Sequence, residues 1–314
     1  LGATFPLVGK IYTRSLSRIG HSIGFAYTIN TIGAVLGSFG AGFLFIPLLG
    51  KELSLSLIVG LQLCSALGAG VYLISVGRDT GFLKWMPAGI IALAAALLCF
   101  FLPYWNRQQL SIGRYHRFEE LSTQLQTSGW LEALIEGPAR LEQHQLNTRL
   151  LFYGDGIGGF TSVMKITNFL GEDELLLLNS GKGDASSHAD MPMQTLIAHV
   201  PLLFRPEARD VLVIGLASGI SAGEALLYPI EHLDVVDISE QVAEASSFFI
   251  PWNNNVLANP KTELIIQDAR AHLELTSRSY DVIIAEPSNP WMAGLANLFT
   301  EECFSLAKNR LKQD

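Results

Sequence analysis

The chain has 314 residues, of which 49% are hydrophobic and only 16% charged, with a formal net charge of −8 and a mean hydropathy of +0.32. Such a balance excludes an ordinary soluble chain, and the negative charge argues against a nucleic-acid partner while remaining compatible with cationic small molecules. The three cysteines, Cys64, Cys99 and Cys303, have neither disulfide nor metal-site spacing, so no structural metal is expected.

The apolar excess lies at the N-terminal end. Residues 19–50, 53–77 and 85–106 contain no Asp, Glu, Lys or Arg. Crossing about 30 Å of hydrocarbon takes about 20 helical residues, so membrane-spanning helices are predicted at 22–49, 53–76 and 85–105. Buried helices of a soluble protein would be equally apolar, but charges confined to the breaks favour spans. Trp85 and the Tyr104–Trp105 pair bracket the third run as an interfacial belt would. The first run is rich in small residues, Gly24, Gly33, Gly37, Gly40 and Gly42, and the Gly33–Gly37 step permits close helix packing. Asn30 and Thr31 are its only strongly polar mid-span pair, and the sole ionisable side chain, His21, lies near an end. Ion-coupled transporters carry such groups mid-membrane, so transport is poorly supported. Lys10, Arg14, Arg18, Arg78 and Lys84 fall on one side and Lys51, Arg107, Arg114 and Arg117 on the other, which leaves the orientation open.

Residues 106–147 are polar and Gln-rich, with Leu121, Leu125, Leu131, Leu134 and Ile135 at helical spacing; they predict an amphipathic connector. Leu150–Tyr153, Phe160–Ile166 and Glu174–Asn179 alternate as strands do, separated by Gly154–Gly156 and Gly158–Gly159 turns. Residues 148–203 therefore predict a small β-domain and the segment leading from it.

Residues 204–314 change character. Asp210–Ile214 is an apolar strand ending in Gly215, followed by a small-residue turn with Gly219 and Gly223, a helical segment, and a second apolar run closing on Asp237. A third run, Glu263–Gln267, ends in Asp268-Ala269-Arg270; a fourth, Tyr280–Ala285, ends in Glu286-Pro-Ser-Asn289-Pro-Trp291. Each strand so places a polar residue at its C-terminal end, the edge where open α/β sheets bind ligands. Glycines let the backbone approach a ligand, a helix start offers N–H groups, and an acid about 20 residues on suits ribose hydroxyls. Strand ends can be polar merely because loops are; the ordered spacing of Gly215, Asp237, Asp268 and Glu286 favours a nucleotide pocket.

This ordered set resembles the class I S-adenosylmethionine-dependent methyltransferase fold in its spermidine synthase branch. Leu178–Ser187, Asp190 and His199–Leu203 are similar to the segment preceding the sheet in spermidine synthases. Glu286–Gly294 leading into Leu298-Phe-Thr300 resembles a signature of bacterial fused transporter-like/spermidine synthase membrane proteins, as do, more loosely, Gly2–Pro6 and Asn30–Ala34. The fold expected is an α-helical transmembrane segment followed by a Rossmann-like α/β domain with a small N-terminal β-unit. The chain begins at Leu1 and ends soon after a helix that should feed another strand, so the resemblance implies an internal piece, with helices missing upstream and a truncated sheet.

The resemblance implies that Gly215, Ser218 and Gly219 border the amino-acid part of a thioether nucleoside. Asp237 would hold the ribose, and Asp268 with Ala269 would meet the adenine. Glu286 and Asn289 would be catalytic. Two departures stand out: Ser218 replaces an aspartate of the glycine turn, and Glu286 and Asn289 replace the two acids of an Asp-Ser-Ser-Asp-like motif. Asp184 and Asp190 either supply replacement charge for the substrate or are turn-forming loop acids. Trp291 either stacks in the pocket or packs the loop. His199 reads as structural rather than catalytic.

Three functions compete. The first is a membrane-anchored transferase moving an aminopropyl group from decarboxylated S-adenosylmethionine to an amine or polyamine. The second uses S-adenosylmethionine itself, for methyl or other alkyl transfer. The third is a transport or sensing protein with a non-catalytic nucleoside domain. The resemblance implies a lipid bilayer partner, residence in a bacterial inner membrane and a cytoplasmic soluble half, since its nucleoside is made there; a homo-oligomer is compatible with the sequence.

Overall fold

The structure, a computed structural model, describes residues 19–76, 89–90, 93, 105–113, 126, 130, 148–156, 158–167, 171–285 and 295–313. The chain divides into two compact units, Leu1–Tyr104 and Trp105–Asp314. Of the three predicted spans, the third lies almost wholly outside the described residues.

In the first unit, helix α1 (Ile19–Gly40) passes through a π-helical turn (Ala41–Phe45) into α2 (Ile46–Val76). Within it Ile19–Ala66, 48 residues, is long and apolar enough to cross a membrane. At about 1.5 Å per residue that stretch is about twice the hydrocarbon thickness. It is interrupted where Gly50 takes φ 75° and ψ 171°, next to the predicted break at Lys51–Glu52. Tyr27, Leu36, Phe43 and Leu48 are all exposed. The hydroxyls turn inward on their own helix instead: Thr28 donates to Gly24 O at 2.9 Å, Thr31 to Tyr27 O at 2.9 Å, and Ser65 to Leu61 O at 2.8 Å. A hydroxyl bonded to its own turn needs no water.

The second unit begins with a short helix, α3 (Arg107–Ser111), whose N-cap Asn106 side chain accepts from Gln109 N. Gln108 Nε2 donates to Thr148 O at 2.9 Å, tying α3 to the first strand. Beyond it Gly113 meets the hairpin glycine Gly181. A Cβ on Gly113 would fall 1.8 Å from Gly181 O, so only glycine permits this contact.

Strands β1 (Thr148–Asp155), β2 (Phe160–Thr167), β3 (Asp173–Asn179) and β4 (Lys182–Ser186) form an antiparallel meander in that order. The first three correspond to the predicted runs. Strand β4, Lys-Gly-Asp-Ala-Ser, has no apolar alternation and was not expected as a strand; its register comes from pairing with β3.

Helix α4 (Met191–Phe204) leads into a parallel sheet built from β5 (Asp210–Ile214), β6 (His232–Asp237), β7 (Thr262–Ile266) and β8 (Val282–Ala285). Helices α5 (Ile220–Ala225), α6 (Glu240–Ser246), α7 (Ala269–Leu275) and α8 (Glu301–Arg310) surround it. The order β7-β6-β5-β8 is that of a Rossmann-like half sheet with its first strand beyond the switch point. Strand β5 is buried on both faces, which explains its continuous apolar run. Val211 and Val213 join Leu202, Ala222 and Leu233 on one side, while Leu212 and Ile214 join Val236, Leu273 and Cys303 on the other. A third cluster, Val163, Leu177 and Ala185 with Ile220, Ala245 and Phe249, packs the antiparallel sheet against α5 and α6. Each such aliphatic side chain contributes about 1.5–3 kcal/mol on burial.

Candidate functional site

The turn after β5 is the centre of the site. Gly215 and Gly219 take φ of 92° and 80°, and Ala217 between them takes φ 45°. An alanine in the left-handed region costs about 1–2 kcal/mol, and such strain is retained where the surroundings enforce it. The reason for the turn's shape is the end of the neighbouring strand. Gly215 N donates to Val236 O at 2.9 Å, and Leu216 N donates to Asp237 Oδ2 at 2.9 Å.

Asp237 is therefore held by main-chain donors on both oxygens, since Ser239 N donates to Oδ1 at 2.9 Å. Burial pushes its carboxyl above its ordinary value, against the pull of N–H groups from Leu216, Ser239 and Ile238 and with a further push from the Asp184 charge. A carboxylate has about four lone-pair sites, so acceptor capacity remains for a pair of hydroxyls. The adjoining Ile238 is 71% exposed at this same edge, an apolar surface that suits the face of a base.

Ser218 is buried and does not face outward as a free hydroxyl. Its Oγ donates to Gln194 Oε1 from α4, and Gln194 Nε2 donates to Ser186 O at 2.8 Å. Asn253 Nδ2 donates to Ser218 O at 2.9 Å and to Ser246 O at 3.0 Å. Gln194 and Asn253 thus fix the glycine turn from two sides. Sequence reasoning missed both, because a polar residue that will be buried has no local signature.

At the end of β7, Asp268 is an exposed N-cap of α7, its Oδ1 accepting from Ala271 N at 2.9 Å; Ala269 opens the helix and packs in the core. Asp184 on β4 accepts from Asn179 Nδ2 at 2.8 Å and from Lys182 Nζ at 2.9 Å. Its charge reaches Asp237 but is already paired with a lysine. Asp190 is an exposed N-cap of α4 whose main chain is anchored by Ser186 Oγ. His199 lies inside α4, its Nε2 2.9 Å from Glu224 Oε2 and its Nδ1 2.8 Å from Tyr228 OH. It clamps α4 to the segment around α5, in keeping with a structural role. Glu286, Asn289 and Trp291 lie outside the described residues. Among the described residues no three His, Cys, Asp or Glu side chains converge on a metal position.

Residues 191–314 match the family described as the Spermine/spermidine synthase domain. The polyamine aminopropyltransferase of Clostridium perfringens (strain 13 / Type A) is 32% identical over 120 residues, 38% of this chain and 42% of that protein. The Bacillus subtilis (strain 168) polyamine aminopropyltransferase is 29% identical over 140 residues, covering 44% of this chain and 50% of its own. Among solved structures, a spermidine synthase in complex with the transition state analogue AdoDATO superposes with a TM-score of 0.48 at 22% identity, covering 52% of this chain and 55% of that one. Spermidine synthase from Thermotoga maritima gives 0.47 at 23% identity, covering 53% and 55%. The chain spans about half or less of the curated relatives it matches, 42% and 50% of these two, and within it residues 191–314 match the spermine/spermidine synthase domain.

Proposed function

We propose that this protein is a membrane-anchored, spermidine synthase-like transferase that binds a decarboxylated S-adenosylmethionine-type nucleoside and passes its aminopropyl or a related alkyl group to an amine or polyamine. The observation that carries the reading is Asp237: a half-buried carboxylate at the end of β6, held by main-chain N–H groups and retaining acceptor capacity beside a strained glycine turn. The family match over residues 191–314 supports the choice of nucleoside.

In the proposed reaction the acceptor nitrogen attacks the methylene next to the sulfonium. The C–N bond forms as the C–S bond breaks, its electron pair going to sulfur, and the ammonium proton passes to Glu286. Asn289 and Trp291 would line the acceptor side, and Asp268 and Ala269 the adenine side. Ser218, held by Gln194, would shape the turn rather than contribute charge. The helix Ile19–Ala66, broken at Gly50, supports anchoring by two passes. The soluble unit belongs on the cytoplasmic side, where the nucleoside is made.

Calorimetry with S-adenosylmethionine, its decarboxylated form and methylthioadenosine in turn tests the donor, and product formation with a panel of diamines and polyamines tests the acceptor. The decarboxylated donor should bind more tightly than S-adenosylmethionine. Glu286→Gln should lower turnover by roughly 10²–10⁴-fold with nucleoside affinity nearly unchanged. A protein that binds nucleoside but alkylates no amine would overturn the reading.

A further inference from the structure

Asn253 lies between α6 and β7 and is buried. Its side-chain amide is spent on main chain. Nδ2 donates to Ser218 O at 2.9 Å and to Ser246 O at 3.0 Å, and Oδ1 accepts from Asn255 N at 3.1 Å. Two carbonyls on one nitrogen require an NH2 group, so an ionised carboxylate of the same shape could make neither bond. The chain bends sharply to deliver this amide. Asn254 and Asn255 take φ of 55° and 48°, the left-handed region that asparagine tolerates better than most residues. Asn254 Nδ2 holds the bend by donating to Gly223 O at 3.1 Å. The fit against α5 is close, since a Cβ on Gly223 would fall 2.2 Å from Asn253 O.

From Asn253 a series of hydrogen bonds runs to Asp237. The Ser218–Gly219 peptide is pinned on both sides: its carbonyl accepts from Asn253, and its N–H donates to Leu216 O at 2.7 Å. Leu216 N in turn donates to Asp237 Oδ2 at 2.9 Å. Ala217 and Gly219, on either side of Ser218, are both left-handed, and a strained turn keeps its shape only where its neighbours enforce it. We propose that Asn253 is a positioning residue for the nucleoside site, acting through the Ser218–Gly219 peptide and Leu216 on the Asp237 carboxylate. The assignment rests on the nucleoside reading of Asp237. Asn253 acts without touching the nucleoside: it fixes the turn against which Asp237 is aligned, so its loss lowers affinity in a chain that still folds.

Methylthioadenosine binding by the full chain in detergent, measured by calorimetry, tests the assignment. Asn253→Asp keeps the side chain's shape but sets a carboxylate against two carbonyl oxygens. Burial between acceptors raises the pKa of the new carboxyl, and once protonated it regains one donor. The variant should bind about 10-fold more weakly than the parent at about pH 8, and the gap between the two should narrow as pH falls to about 6. The contacts of Asn253, which are Ser218, Ser246, Phe249, Asn255 and Val256, carry no ionisable group that would mimic this recovery. Asn253→Ser, shorter and uncharged, should lose affinity throughout this range with no recovery, and it carries the test if the first variant does not fold. On an Asp237→Ala background Asn253→Asp should cost little further affinity, because the two act on one contact. Parent-like binding by either Asn253 variant, a loss in Asn253→Asp that ignores pH, or fully additive losses with Asp237→Ala would overturn the positioning role, while weakened binding by Asp237→Ala alone leaves the nucleoside reading standing. A parent that binds no methylthioadenosine would overturn both.

Discussion

The two ends of strand β6 hold aspartates in contrasting company. Toward its start, Asp234 is 1% exposed and bound by side chains: Tyr280 OH donates to Oδ2 at 2.7 Å, and Arg278 donates to Oδ1 while its other arm reaches Glu263 at 2.7 Å. His272 Nε2 closes the group at 3.1 Å from Tyr280 OH. At the strand's end, the Asp237 carboxylate is held instead by the backbone N–H groups of Leu216 and Ser239, one on each oxygen. A carboxylate enclosed by side chains stabilises a fold; one held by main chain keeps lone pairs unspent, which is what the proposed ribose contact requires.

Substitution should separate the two. Asp234→Ala takes the carboxylate partner from the buried Tyr280 hydroxyl and leaves it His272, though half-exposed Arg278 can rehydrate, so the loss should be about 3 kcal/mol of unfolding free energy. Nucleoside affinity of the folded fraction should not change. Denaturant titration beside calorimetry reads both; equal losses in the two would break the contrast. Asp237→Ala should do the reverse, weakening nucleoside binding by about 1.5–3 kcal/mol, the scale of charge-assisted hydrogen bonds, with a smaller loss of stability. Unchanged affinity in that variant would remove Asp237 from the site.

Acid should divide the two ends as well. Burial raises the Asp237 carboxyl above its ordinary 3.8, so on acidification it takes up a proton earlier than the unfolded chain does. That uptake favours the folded state, yet it removes an acceptor: nucleoside affinity should fall from above the ordinary Asp range while this residue costs no stability. Burial lowers His272 below its ordinary 6.5, so the unfolded chain binds that proton first. Its contribution to stability is present above 6.5 and lost as pH falls through the window beneath it. Affinity and unfolding measured across the same pH series should respond to Asp237→Asn and His272→Gln respectively. The smallest effect is expected at Lys312, which pairs with Asp281 at 2.9 Å but is 38% exposed; Lys312→Ala should cost less than about 1 kcal/mol.

Much of the parallel sheet is legible because its strands write themselves as apolar runs, and the proposed site residues were counted from their ends. Gly215, Asp237 and Asp268 could be placed by counting. What escaped is whatever depends on distant partners. Gln194 meets Ser218 across 24 residues, and Asn253 meets it across 35. Ala217 conceals a left-handed backbone behind an unremarkable side chain, and β4 lacks any pattern of its own. Asp268 shows another limit: it follows β7 as the spacing predicts, but the helix-capping bond it makes there is not disclosed by spacing alone.

The contact between Gly113 and Gly181 has a practical consequence for anyone excising the second unit. A truncation starting at Thr148 would keep every strand but strip the peptide that covers Gly181. It would also remove the Gln108 bond to Thr148. Starting at Trp105 keeps both, so the earlier cut, though it carries a longer leader, should give the better-behaved fragment.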